Sequence, residues 1–435
     1  MKKFVLSVVA ALAVVAISAP AFATNGTNII GVGAISRSMG GVGAAAPQDA
    51  ISAVFANPAA MCYIPCETSE VDFAATIFDP TVKAEANTNA TGALNAKSQG
   101  SPYAFPAIGI YTPINEKWRF GLAAYGVSGL GVDYKDTSLA TIGTTFGMAQ
   151  GTDIRTQLSI MKFAPNVAYM INDKLSVGAA LQINWAQLDL GSGDSHDYGF
   201  GTQVGVIYKP VDGLSLGATY QSPQKHTFKR VFNFNDNSQA GAFLPVGQTD
   251  NNRDTLALEQ PQQVVVAAAY DIIPNTLLME VDGKWLNWGG AKGYKDFDWE
   301  DQYVIAVGTQ YKPVDWLAIR AGYNYGNNPV KEHNGWFATA PQGGYTSLQG
   351  TPVNNFFYEY FRVVGFPAVA EHHITAGLGV NITPKVSLNA GYMHAFSKKI
   401  SETSAALPAL FGGGTIDLAS KLSEDSYEFG LNIMF

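Results

Sequence analysis

Charge is scarce in this chain. Only 14% of its 435 residues are Asp, Glu, Lys or Arg, where about 25% is usual for a soluble domain. Basic residues are the scarcer kind, 27 against 35 acidic ones, and the net charge of −8 leaves no electrostatic footprint for nucleic acid. Long apolar runs are missing too. Phe4 to Ile17 is the one extended run, and it is shorter than the roughly 20 residues a spanning helix needs. Any further membrane crossing must therefore use strands, the other structure that satisfies its own backbone in lipid. The six histidines, among them His196, His226, His333, His394 and the pair His372-His373, have no metal-ligand spacing. No serine sits in a nucleophile elbow or triad context. The sequence calls for no metal, no cofactor and no enzyme active site.

What is present begins with an export signal. Lys2 and Lys3, the apolar run and the small-x-small site Ala21-Phe22-Ala23 fit a secretory signal peptide over 1–23, with the mature chain starting near Thr24. An N-terminal membrane anchor is the weaker reading because the run is too short, and no lipobox cysteine ends it. Cysteine is limited to Cys62 and Cys66, which enclose Tyr63-Ile64-Pro65. In an exported chain this pair reads most simply as a small disulfide. A metal pair or redox motif fits less well, since no histidine is close in sequence and the spacing is not Cys-x-x-Cys.

Beyond residue 69 the pattern is strand alternation. Val71, Phe73, Ala75 and Ile77 alternate with Asp72, Ala74 and Thr76, the period of a strand with two different faces. Six hairpins follow, pairing 102–112 with 118–128, 154–171 with 174–190, 200–209 with 214–228, 262–272 with 276–288, 301–311 with 316–326 and 371–382 with 386–398. Their short turns are rich in Pro, Asn, Asp and Gly, the residues suited to tight reversals. Strands at 70–79 and 424–435 bring the count to fourteen, and the opposite ends are joined by longer connections. Short turns on one side and long loops on the other indicate an all-β, fourteen-stranded antiparallel transmembrane barrel of the outer-membrane type.

Side-chain parity places lipid outside and a polar lumen inside. In 174–190, Leu175, Val177, Leu181, Ile183 and Trp185 share one face, and Ser176, Gln182 and Asn184 the other. Exposing Arg to lipid near the midplane costs about 2–4 kcal/mol, so Arg320, Lys284, Glu280 and Asp282 are expected in the lumen, with Arg320 paired to Glu280 or Asp282. The chain ends Tyr427-Glu428-Phe429-Gly430-Leu431-Asn432-Ile433-Met434-Phe435. This resembles the C-terminal strand signal read by the barrel-assembly machinery of Gram-negative bacteria.

The stretch from Gly31 to Met61 fits neither a barrel strand nor a regular helix. Its Ser36-Arg37-Ser38-Met39-Gly40-Gly41-Val42-Gly43-Ala44-Ala45, Asp49-Ala50 and Asn57-Pro58-Ala59-Ala60-Met61 resemble the N-terminal hatch of the FadL/TodX family of outer-membrane transporters for long-chain fatty acids and other hydrophobic compounds. Pro165-Asn166-Val167-Ala168-Tyr169, Trp285-Leu286-Asn287-Trp288 and Arg320-Ala321-Gly322-Tyr323-Asn324-Tyr325-Gly326 extend the resemblance over nearly the whole mature chain. It implies a hatch over 24–68 inside a barrel over 69–435, with Arg37, Gly40, Gly41, Gly43, Asp49, Asn57, Pro58 and Ala59 as the hatch motif. It also implies capture of ligand by outer loops, an internal pocket beside Ile29 and Ile30, and lateral release where the third strand kinks.

Glycine at 126, 129 and 131 suits such a bend, which puts the opening at Tyr125, Gly126, Ser128 and Gly129. Phe232, Phe234 and Phe243 in one loop, and Trp336, Phe337, Phe356, Phe357, Tyr358, Tyr360 and Phe361 in another, form either an apolar landing surface or the loops' own packing. The loop at 191–199 is shorter than the family's groove-building loops. Arg155, Lys162 and Arg320 are candidate partners for a ligand carboxylate, and Lys162 reaches the lumen only if a bulge near 161–163 shifts parity. The implied partners are a hydrophobic small molecule, outer-membrane lipid and lipopolysaccharide, and the assembly machinery. A monomer is expected. A general diffusion porin, with 31–61 outside the barrel, is the alternative function, and an outer-membrane lipid hydrolase a lesser one.

Overall fold

Fourteen alternating segments close one sheet upon itself in a computed structural model that describes residues 25–64, 69–89, 91–140, 155–190, 193–229, 231, 255–337, 345–405 and 413–435. In chain order the wall strands are β1 (Glu70–Thr88), β2 (Tyr103–Pro113), β3 (Trp118–Asp133), β4 (Arg155–Asn172), β5 (Leu175–Asp189), β6 (Ser195–Tyr208) and β7 (Leu214–Gln221). They continue as β8 (Gln263–Ile273), β9 (Leu277–Leu286), β10 (Gln302–Val314), β11 (Leu317–Gly326), β12 (His372–Thr383), β13 (Val386–Thr403) and β14 (Ile416–Met434). Each pairs antiparallel with its neighbour, and β14 closes on β1 from Glu70↔Met434 to Thr88↔Ile416. The wall itself is closed, and the short strand Gly92–Lys97, paired with the outer part of β1, stands at an edge.

The outward ends depart from the strand limits expected from sequence. β1 runs past 79 to Thr88, β13 ends at Thr403 rather than 398, and β14 starts at Ile416 rather than 424. Pro80 reads as a strand end, yet it pairs in register with Glu424. The expected strand 214–228 breaks at Gln221, just before Pro223, which has no N–H to give a ladder. The segment Gln224–Lys229 pairs instead with Thr255–Gln260, and its Gln224, His226 and Phe228 are buried.

Parity divides the wall as expected. Val177, Leu181 and Phe200 are exposed on the outside, and Ser176, Gln182, Asn184, Glu280, Asp282 and Arg320 are buried. Within the wall lie α1 (Ala34–Ser38), α2 (Ala50–Ala56) and a 3-10 turn Pro58–Cys62. The Asp49 side chain caps α2 by accepting from Ser52 N at 2.9 Å. Helices this short are marginal alone, so the wall must hold them. Wall glycines let it come close: a Cβ at Gly205 would lie 2.0 Å from Asn57 Oδ1, at Gly217 2.1 Å from the Ala44 carbonyl oxygen, and at Gly322 2.2 Å from Gly40 N.

Candidate functional site

The plug is tied to the wall around its circumference. Arg37, 1% exposed, places Nε 2.5 Å from Glu428 Oε1, itself 1% exposed, and donates from Nη2 to Ser426 Oγ at 2.8 Å. Gly40 donates to Thr375 Oγ1 at 2.9 Å and accepts from Asn324 Nδ2 at 3.0 Å. Lys284 Nζ donates to the Gly41 carbonyl at 2.7 Å. Glu280 is not paired with Arg320 as the sequence suggested; it accepts from the Ala45 amide at 2.7 Å. Asn57 Nδ2 donates to the carbonyls of Ala44, 2.8 Å away, and Val206, 3.1 Å away, while its Oδ1 accepts from Ala59 N at 3.1 Å. Pro58 opens the 3-10 turn, and Gly43 adopts a φ of 152°. Cys62 is buried, and Cys66, its expected disulfide partner, lies outside the described residues.

The wall is interrupted at β3. Its pairing with β2 ends at Ala107↔Tyr125, although β2 continues to Tyr103 along β1. Its register with β4 shifts between Gly126 and Ser128, a bulge at Val127. Farther out the chain rejoins β3, where Gln99 N donates to the Asp133 carbonyl at 2.8 Å. The interval between is closed from inside by the first described residues of the chain. Ile29 N donates to the Val127 carbonyl at 3.1 Å, and Gly129 N to the Thr27 carbonyl at 2.9 Å. Ser128 Oγ donates to Thr27 Oγ1 at 2.9 Å, and Gln260 Nε2 reaches Ser128 Oγ at 3.3 Å. Tyr125, Gly126, Ser128 and Gly129 all sit at this interval.

Behind the tail is a cavity of about 50 Å³ lined by Ile29, Ile30, Phe55, Val127, Lys162 and several glutamines. That is room for a water or two, so the site is collapsed around its own side chains. Lys162 is 4% exposed and donates to Gln182 Oε1 at 3.0 Å and Gln221 Oε1 at 3.1 Å. Even-numbered residues of β4 from Thr156 to Ala168 are all buried, so Lys162 faces the lumen without a bulge of its own strand. The irregularity lies across the ladder, in β3. The other two candidate cations are elsewhere. Arg155 is exposed at the outer rim, donating to Gln157 and 3.8 Å from Asp189. Arg320 sits near the periplasmic turn and donates to Gln310 at 2.7 Å and Asn389 at 2.8 Å.

Outside, the loop aromatics mostly pack on one another. Trp336, Phe356, Phe357, Tyr358 and Tyr360 are buried, whereas Phe337 is exposed. Phe232, Phe234 and Phe243 lie outside the described residues. Trp288, Tyr294 and Trp299 form a buried trio with centroids 4.5 to 5.3 Å apart, and Tyr294 OH lies 3.2 Å from Thr27 Oγ1. His333, Glu359 and Glu402 converge closely enough for a metal, but Arg362 fills the centre. Its Nη1 lies 2.9 Å from His333 Nδ1 and 2.9 Å from Glu402 Oε1, and also bonds Glu359. Sequence reading missed this cluster because its members lie far apart in the chain. It missed Thr27 and Gln260 because neither carries a motif.

Comparison with known proteins agrees with this architecture. The family profile described as "Outer membrane protein transport protein (OMPP1/FadL/TodX)" matches residues 9–193 and 187–342. The long-chain fatty acid transport protein of Escherichia coli is 24% identical over 381 residues, 76% of this chain and 79% of that one. The 47 kDa outer membrane protein of Pasteurella multocida is 24% identical over 464 residues, covering 98% of this chain and 97% of that one. Among solved structures, a Pseudomonas aeruginosa FadL homologue superposes with a TM-score of 0.67 at 16% identity, over 94% of this chain and 99% of that one. The P. putida toluene transporter TodX gives 0.61 at 17%, over 93% and 99%.

Proposed function

The chain belongs to the OMPP1/FadL/TodX family of outer-membrane transport proteins, and from that premise we propose that it admits a hydrophobic small molecule through the side of its barrel rather than down its axis. The supporting observation is the interval in β3, closed by a tail from the plug instead of by β2. A lipophile must avoid water, since each methylene left in it costs about 0.8 kcal/mol. A route from the outer loops to the collapsed pocket and out sideways into lipid keeps it dry throughout. Ligand entering beside Ile29, Ile30 and Phe55 displaces the tail, releases Ser128 and Gly129, and opens the wall. Axial diffusion of polar solutes would need an open lumen, and residues 25–64 fill this one. Nothing in this route breaks a covalent bond of the cargo.

Thr27 Oγ1 and Ser128 Oγ are 2.9 Å apart, close enough for a cysteine pair to lock the tail onto the strand. In Thr27→Cys/Ser128→Cys, uptake of labelled oleate or toluene by whole cells should be blocked when oxidised and restored by a reductant that leaves the parent protein's uptake unchanged. Undiminished uptake in the locked state would rule out the lateral route.

A further inference from the structure

Four lysines stand abreast on the outer wall. The register sets Lys83 of β1 directly opposite Lys421 of β14, Lys421 opposite Lys399 of β13, and Lys83 opposite Lys97 of the short strand Gly92–Lys97 that pairs on the other side of β1. All four are exposed, and the alternate residues Val82, Ala84, Ile400, Ser420 and Leu422 are buried toward the lumen. Across four strands the row spans about 14 Å. Like charges directly opposite one another destabilise a sheet, and here three such pairs occur in succession. Among the described residues none of the four lysines takes part in an ion pair. A lysine on an edge strand can serve to repel a stray strand, which accounts for Lys97 alone, because the other three lie within the sheet.

The height of the row selects its partner. On the same outward face, Phe429 and the pair Tyr392 and Tyr427 lie toward the membrane, with Tyr392 and Tyr427 ring centroids 5.5 Å apart, as an interfacial girdle requires. Asp425, opposite Asp79, comes next, and Lys421 follows four residues beyond it. At roughly 3.3 Å per residue on a strand tilted by about 40°, the ammonium groups stand about 10 Å above that level. Glu85 and Asp417 lie still farther out on the same face. The lysines thus face outward at the level of the outer-leaflet headgroups, separated from the lumen by the wall.

We propose that this row is a docking site for the phosphorylated sugar region of the outer-leaflet glycolipid, lipopolysaccharide. Its phosphates supply the counter-charge that the row lacks, and the aromatic girdle below receives the acyl chains. The proposal rests on the outer-membrane placement of the barrel and not on what it carries, so failure of the transport reading leaves it standing.

The test measures retention of phosphorylated rough lipopolysaccharide by the purified full-length barrel, using native mass spectrometry, for the parent and for Lys83→Gln/Lys97→Gln/Lys399→Gln/Lys421→Gln. Each basic residue near an anionic surface adds to the attraction, so affinity should fall by at least about tenfold in the fourfold variant. The corresponding fourfold Arg variant should bind like the parent. Lipopolysaccharide stripped of phosphate should bind the parent as weakly as the Gln variant binds the intact lipid. Equal binding by parent and Gln variant overturns the proposal, as does equal binding of stripped lipid, or full displacement by millimolar inorganic phosphate, which would mark a simple anion site. If the fourfold variant loses its heat-modifiable mobility, the four single Gln variants carry the comparison. Absence of any loss among them is then the overturning result.

Discussion

Lys162 is the residue at which the class of ligand can be tested. A buried cation is held favourably only when it is paired and hydrogen-bonded, and among the described residues this one donates only to the amide oxygens of Gln182 and Gln221. A carboxylate arriving with a fatty acid would complete it with a charge-assisted bond; a neutral hydrocarbon would not. Hydrogen bonds to charged groups are worth about 1.5–3 kcal/mol, more than tenfold in affinity. Lys162→Met, close in length and apolar, should therefore weaken oleate binding by about tenfold or more while leaving toluene binding unchanged or tighter, as measured by titration of purified protein in detergent. An equal loss for both ligands would assign Lys162 to packing of the lumen, and no loss for oleate would remove the carboxylate from the site. Arg155→Gln, at the exposed rim, should affect neither.

At the scale of elements, the plug and the wall differ in how they are specified. Wall strands carry their own signal, alternation bounded by turn residues, so their number and order are legible in the sequence alone. Strand ends are less legible. The alternation Val82, Ala84, Ala86 continues past Pro80, and proline's ordinary role as a strand breaker masks it. The plug carries almost no local signal because five- and seven-residue helices form only inside a mould, and only resemblance identifies it. The pairing of Thr27–Ile29 with the β3 bulge leaves no trace in the sequence, since a tail completing a sheet needs no particular side chain. Asn57 is where the plug depends on a side chain. It ends α2, opens the 3-10 turn and bridges Ala44 to Val206 of the wall. Asn57→Ala leaves two carbonyls and an amide short of a partner, at about 1–3 kcal/mol for each group left buried and unmatched. The wall pairings do not involve it. Uptake should fall while the folded barrel keeps its faster migration in unheated gels; loss of that migration would mean that the plug is needed to assemble the wall.

For the whole molecule the outer cap matters most, because it joins segments far apart in the chain through one histidine. His333 sets Nε2 2.9 Å from Asp298 Oδ2 and Nδ1 3.0 Å from Glu359 Oε1, and its backbone N–H donates to Glu402 at the end of β13, 2.9 Å away. Both ring nitrogens can donate to carboxylates only in the imidazolium form. The hydrogen bond to Glu359 raises the His333 pKa above its usual value, ahead of the opposing effects of burial and the Arg362 charge. Glu359 is held below the usual glutamate value: burial works against this, and its bonds to His333 and its proximity to Arg362 prevail. A histidine whose folded pKa is raised contributes stability that is complete below its unfolded pKa, about 6.5, and is lost as pH rises through the folded value. The Glu359 contribution is present above its own unfolded value and is lost only in stronger acid. The clamp across the loop before β10, the loop before β12 and the end of β13 should therefore be tightest below about pH 6.5 and should slacken as the pH rises through the raised His333 value. Proteolytic nicking within 327–371, with protease activity matched at each pH, should be slower below about pH 6.5 than at a pH well above it. Burial pushes the Glu402 carboxyl up to about 7, and its ionisation loosens the same clamp as pH rises. In His333→Gln, which keeps a polar side chain but cannot gain a proton, the rate should therefore change with pH less than in the parent. A dependence undiminished in that variant would assign the titration to Glu402 and leave the three-way contact at His333 structural only.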